Sequence, residues 1–206
     1  MFKNSKLYGL ILGVILFVIL IAGITYAYLT WESSSMNFPI KSDCFVIDYV
    51  KGNNITNNKL HYINEEDFLE GNNIKIVDGM ELTTIGLGIN QSCNVSGVAT
   101  IKLDVSTLSG AFITGNSAGA LKYKIVEYSS DMYPNVTTDI LKDTTFTVIQ
   151  SGSIMSQGMI DLYSTDISNS RNDYIIIFYL DEVLIQNDAV GALFYGTISA
   201  EVVQKG

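Results

Sequence analysis

Between residues 98 and 106 the chain reads VATIKLDVS. Ala99, Ile101, Leu103 and Val105 point one way, and Thr100, Lys102 and Asp104 point the other. Side chains of a strand alternate between faces, so a period of two is the mark of a half-buried strand; a helix would scatter the same positions around its circumference. The pattern recurs in LKYKIVEY (121–128), where Leu121, Tyr123 and Ile125 alternate with Lys122 and Lys124. It recurs again in LFYGTISAEVVQ (193–204), with Phe194, Ile198, Ala200 and Val202 on one face and Thr197, Ser199 and Glu201 on the other. One apolar and one polar face is the pattern of antiparallel sheet with one side in water.

Further strands are expected at CFVIDYV (44–50), MELTTIGLGIN (80–90), TTFTVIQ (144–150), IMSQGMIDLYS (154–164) and DYIIIFYLD (173–181), segments rich in strand-forming residues. The last is apolar on both faces from Ile175 to Leu180, so it belongs in the middle of a sheet covered on both sides. Turns are marked by KGNN at 51, LSG at 108, GNSAG at 115, SGS at 151 and NSRND at 169. The one helical piece is NEEDFLEG (64–71), with Asn64 as cap, Glu65 and Glu66 in the first turn and Gly71 as terminator. Eight or nine strands with almost no helix predict an all-β fold, an antiparallel β-sandwich of jelly-roll type.

Ahead of this domain lies LYGLILGVILFVILIAGITYA, 21 residues from Leu7 to Ala27 without a charge. As a helix it would rise about 31 Å, the thickness of a bilayer's hydrocarbon. Lys3 and Lys6 precede it and Glu32 is the first charge after it, so the N-terminus is expected to stay in the cytoplasm while the rest crosses. Residues 1–27 are therefore a signal peptide or transmembrane anchor, 28–38 a juxtamembrane stalk or first strand, and 39–206 an extracellular domain. Thr25 and Ala27 put small residues where a signal peptidase would cut between Ala27 and Tyr28, whereas the length of the apolar run favours retention. Tyr26, Tyr28 and Trp31 suit the membrane interface, where amphipathic rings sit at headgroup level.

The exported part carries 10 Lys and Arg against 21 Asp and Glu, a formal charge of −11. Such a field repels phosphate backbones and anionic lipid surfaces, so no nucleic-acid partner is expected and the membrane is engaged through the N-terminal helix alone. Cys44 and Cys93 are the only cysteines. Outside the cytoplasm they are expected to form one disulfide; two buried free thiols are the other reading. A two-cysteine metal site lacks further ligands, since His61 is the sole histidine. There is no Walker loop or G-x-G-x-x-G, and no carboxylate pair stands out from turn acids, so no catalytic residue is assigned and a non-enzyme is expected. No cofactor is expected either. The loop acids of SSDMYPN (129–135) and LDEVLIQND (180–188) are where calcium would be held, but they lack EF-hand spacing and read first as turn chemistry.

GITYAYLTWES, from residue 23, resembles the start of exported Gram-positive proteins of the TasA and camelysin family, and LFYGTISAEVVQ resembles the way such domains close. The middle, CFVIDYVKGNN leading to GMELTTIGLGINQSCNVSGVATIKLDV, is similar to uncharacterised Firmicutes surface proteins of this type. The resemblance implies a jelly-roll-like domain exported through a dedicated signal peptidase. It also implies assembly into extracellular fibres of biofilm matrix by donation of the N-terminal strand to the next subunit. Carried onto this chain, cleavage falls near Ala27–Tyr28 and residues 28–38 are the donor strand. The expected function is thus a cell-surface or matrix protein acting in assembly, with self-association by strand exchange, or in adhesion. The alternative is a membrane-anchored module binding carbohydrate or protein.

Overall fold

The computed structural model describes residues 44–49, 54–56, 60–89, 93, 95–168 and 171–205. The apolar run 7–27, the cleavage pair Ala27–Tyr28, the aromatics Tyr26 and Trp31, and the stretch 28–38 lie outside them. Among the described residues no helix is long and apolar enough to cross a membrane.

The described fold is predominantly β. A larger sheet contains β1 (Phe45–Tyr49), β3 (Tyr62–Ile63), β4 (Leu69–Glu70), β5 (Asn73–Lys75), β6 (Glu81–Ile89), β8 (Leu121–Tyr128), β9 (Thr145–Ser153) and β11 (Asn172–Asp181). Its order is β1-β6-β11-β8-β9-β5-β4, with the short β3 lying parallel to the end of β11. A smaller sheet holds β2 (Asn54–Thr56), β7 (Gly97–Leu108), β10 (Gly158–Ile167) and β12 (Phe194–Gln204), in the order β10-β7-β12-β2. Two single-turn helices, α1 (Gly110–Ile113) and α2 (Thr138–Leu141), sit in the connections.

The alternating segments land as their periodicity requires. LKYKIVEY is β8 end to end. In β7, Ala99, Ile101, Leu103 and Val105 are buried, while Thr100, Lys102 and Asp104 face outward. These residues share one core with Phe194 of β12 and with Ile125, Ile176 and Phe178 of the larger sheet. β11 lies centrally between β6 and β8 and is buried on both faces, as its doubly apolar sequence demands. Tyr174, Ile176, Phe178 and Leu180 enter the first core, whereas Ile175, Ile177 and Tyr179 enter a second one on the opposite face. That second core is completed by Phe68, Ile74, Ile76, Met80 and Leu141. Ile74 lies on β5, which continues the sheet beyond β9, so this edge curls back over the sheet's own outer face.

Three expectations are corrected. NEEDFLEG does not form a helix beyond one 3-10 turn, Glu65–Asp67, although Asn64 caps it by accepting from the Glu66 N–H. Phe68 turns into the second core, edge-on to Tyr179 at 5.1 Å, and burying that ring outweighs the weak gain from one more helical turn. Leu69 and Glu70 then enter β4, and Gly71 (φ +59) makes the turn into β5 that only a residue tolerant of positive φ makes without strain. SGS at 151 is the end of β9 rather than a turn. Gly152 lies opposite Tyr123, and a Cβ there would come within 2.7 Å of the ring, so the glycine makes room for a large cross-strand neighbour. The expected strand at 154 starts only at Gly158; Ile154 instead follows the end of β9, donating its N–H to the Leu121 carbonyl and burying its side chain in the first core.

Candidate functional site

Cys44 and Cys93 form a disulfide, with Cα atoms 5.4 Å apart and 49 residues between them in sequence. Cys93 packs against the first core. The bond ties Cys44, next to β1 of the larger sheet, to Cys93 in the connection from β6 to β7. In the chain-entropy picture a loop of that length contributes about 4 kcal/mol.

The most concentrated chemistry lies on the covered face of the larger sheet. Lys122 and Lys124 on β8 point to the side opposite Tyr123 and Ile125, and the 3-10 turn carrying Glu65 lies over them. Lys122 Nζ is 2.5 Å from Asp181 Oδ2 and 3.2 Å from Glu65 Oε2. Lys124 Nζ is 3.4 Å from Glu65 Oε1 and sits 5.7 Å above the centroid of the Tyr179 ring. The Tyr179 hydroxyl donates to Glu65 Oε1, and the Val183 N–H donates to Asp181 Oδ1 at 3.0 Å. Lys124, Asp181 and Tyr179 are buried.

The electrostatics follow from that crowding. Burial pushes the Glu65 carboxyl up, but the Tyr179 hydrogen bond and the charges of Lys124 and Lys122 outweigh it, and the group titrates below its ordinary value. Burial likewise works against the Lys122 ammonium, and its hydrogen bond to Asp181 with the charge of Glu65 reverses this, so its pKa is raised. Tyr179 is driven far up by burial and by its bond to Glu65, and it stays a donor. Lys122 therefore rests as an ammonium and Glu65 as a carboxylate. The sequence pattern gave Lys122 and Lys124 a polar face without revealing that the face is roofed.

The other designated residues are accounted for separately. His61 is exposed, and its backbone N–H bonds the Gly79 carbonyl. In the 180–188 loop Asp181 is taken by Lys122. Asp188 accepts from the Ser117 hydroxyl and the Asn116 N–H, both at 2.6 Å, which holds its carboxyl below the usual range and ties the loop to the turn after α1. In the 129–135 loop Asp131 lines an open cleft of about 450 Å³ with Glu127, Arg171 and Asp173, where Arg171 already pairs with Asp173 at 2.8 Å. Among the described residues no group of three or more His, Cys, Asp or Glu is placed to hold a metal ion.

Two further features lie on the surface. β10 occupies one edge of the smaller sheet, and among the described residues it pairs only with β7. Its ladder is interrupted by a bulge between Asp161 and Tyr163; beyond it Tyr163–Ile167 pair regularly with Gly97–Ile101. Separately, β7, β9 and β11 end, and β8, β10 and β12 begin, at the end of the domain remote from Cys44. There Met155, Met159, Val183, Leu184, Val190 and Leu193 are exposed. No family model matches the chain, and no curated protein matches it.

Proposed function

We propose that this chain is a non-enzymatic surface or matrix protein. In this reading it is a jelly-roll-like antiparallel sandwich carried out of the cytoplasm by the apolar segment 7–27, and it acts in assembly through its sheet edge. The observation that carries the proposal is β10, a ten-residue edge strand with a regular five-residue stretch at Tyr163–Ile167. An added strand there gains main-chain hydrogen bonds, with side-chain pockets setting its register. The likeness of GITYAYLTWES to the TasA and camelysin family nominates residues 28–38 of a neighbouring copy as that strand, released by cleavage between Ala27 and Tyr28. A head-to-tail contact of this kind grows into filaments when its rotation does not close a ring.

A second reading, a membrane-anchored binding module, draws on the exposed apolar side chains at the end remote from Cys44, where a protein partner would meet an anchored domain. Electron microscopy and sedimentation of residues 28–206 separate the two. Assembly predicts filaments that grow with concentration and vanish when 28–38 are deleted. A protein that stays monomeric across concentration, pH and salt rules assembly out and leaves the binding module.

A further inference from the structure

We propose that Lys122 and Asp181 become joined by an intramolecular amide bond, with Glu65 carrying the proton between them. The proposal rests on the geometry of three side chains. β8 and β11 are antiparallel neighbours with Lys122 opposite Tyr179, which brings the amine to the carboxyl two residues further along β11. Nζ already stands 2.5 Å from Oδ2. The acceptor is fixed and shielded: Asp181 is 4% exposed, and its other oxygen is held by the Val183 N–H at 3.0 Å. That N–H is a donor aimed at the oxygen on which charge collects when the carboxyl carbon is attacked. Glu65 touches the same amine at 3.2 Å and is itself held in place by the Tyr179 hydroxyl.

The reaction balances without any further reagent. In the resting pair Lys122 is an ammonium and Asp181 a carboxylate, so a proton first passes from Nζ to Oδ2. The neutral amine then attacks Cγ, forming the N–C bond and placing negative charge on Oδ1. Glu65 accepts a proton from the attacking nitrogen and delivers it to the departing hydroxyl. The C–Oδ2 bond breaks, and one ammonium and one carboxylate have become one amide and one water. Holding both partners in contact replaces an encounter in solution, an advantage that reaches about 10⁵ M or more in well-oriented intramolecular reactions. Lys124 is not the nucleophile: its carboxylate neighbour is Glu65 at 3.4 Å, and its ammonium remains to balance Glu65 once the charge of Lys122 is consumed. The product is a covalent rung between the start of β8 and the end of β11, two central strands of the larger sheet.

The test is peptide mapping of the full chain by mass spectrometry after reduction and alkylation, so that the disulfide does not contribute. The expected result is a linked pair of peptides, one containing Lys122 and the other Asp181, lighter by one water (about 18 Da) than their sum. Recovery of both peptides separately at their sequence masses from the folded protein overturns the proposal, and needs no variant to be interpreted. Lys122→Arg is expected to abolish the linked pair. Glu65→Gln is expected to slow its appearance in freshly expressed protein by roughly 100-fold, the usual contribution of a positioned proton carrier. Linkage at an unchanged rate in Glu65→Gln overturns the role of Glu65. None of these readouts depends on whether the chain assembles.

Discussion

Lys102 on β7 and the pair Lys122 and Lys124 on β8 stand at equivalent places in equivalent patterns, each a lysine between inward-facing apolar residues on a strand of an antiparallel sheet. Their surroundings diverge. Lys102 faces out from the smaller sheet and bridges β12 and β10, with Nζ 2.5 Å from Glu201 and 3.6 Å from Asp161, two carboxylates that are more than half exposed. Lys124 is 7% exposed, and Glu65, Phe68 and Tyr179 crowd the region above it. The difference lies in what the chain does elsewhere. Residues 60–80 and 133–148 fold over the larger sheet and build a second core on its outer face, whereas the described part of the smaller sheet leaves its Lys102 face bare. An ion pair in water is nearly neutral in free energy, while a covered one is costly to break.

The comparison fails if the second face of β11 is not a true core, and Ile177→Ala tests that with the largest effect. Ile177 is fully buried among Ile175, Tyr179 and the roofing residues. Removing three carbons from a packed site costs the transfer energy and leaves a cavity, about 3–4 kcal/mol. Urea denaturation followed by circular dichroism should show that loss. A change below about 1 kcal/mol would mean the roof is loose, and the burial of Lys124 with it.

Much of this architecture was legible. The period of two in β7, β8 and β12 gave the faces, and the doubly apolar run of β11 gave its central place, because burial dictates pattern locally. The roof was not legible. It is built from β3, β4 and β5, strands of two or three residues too short to show any period, and from a turn whose residues NEEDF score as a helix start. Its partners lie far away in sequence, as with Glu65 and Tyr179. One signal was present: a sheet covered on both faces at Ile175–Leu180 cannot leave the lysines of its neighbour strand in water. Following that implication from β11 to β8 would have identified Lys124 as buried, Lys122 as half-buried, and both as in need of acids. Cys44 and Cys93 were legible as a pair because no other cysteine competes.

Glu65 sharpens the comparison at intermediate size. Its pKa is lower in the folded protein than in the unfolded chain, so its contribution is complete above the ordinary carboxylate range and is lost as pH falls through the depressed folded value. Glu65→Gln should therefore be less stable than the parent near neutrality by about 2 kcal/mol, a buried-pair cost reduced for partial exposure. The gap should narrow as pH falls below the ordinary carboxylate range. Denaturation midpoints of both proteins across that range read it directly. A gap that stays constant with pH would belong to the missing amide rather than to the charge of Glu65. The titrating part survives amide formation, because Tyr179 and Lys124 still favour the carboxylate.

The smallest effect belongs to Lys102, and its smallness is the point. The hydrogen bond to Glu201 and the charges of Asp161 and Glu201 outweigh the small cost of burial and raise its pKa, yet all three groups lie on a face open to water. Water screens them, salt competes with them, and the ordering of three side chains consumes most of what the contacts gain. Lys102→Ala should leave the urea midpoint unchanged within error at any ionic strength. Ala keeps the strand's backbone pairing, and no buried acid is left without a partner. A clear destabilisation in Lys102→Ala would mean that something covers this face of the smaller sheet, such as an added strand's neighbours in an assembled form. The same measurement on freshly diluted monomer and on concentrated protein would then tell an intramolecular cover from one supplied by another copy.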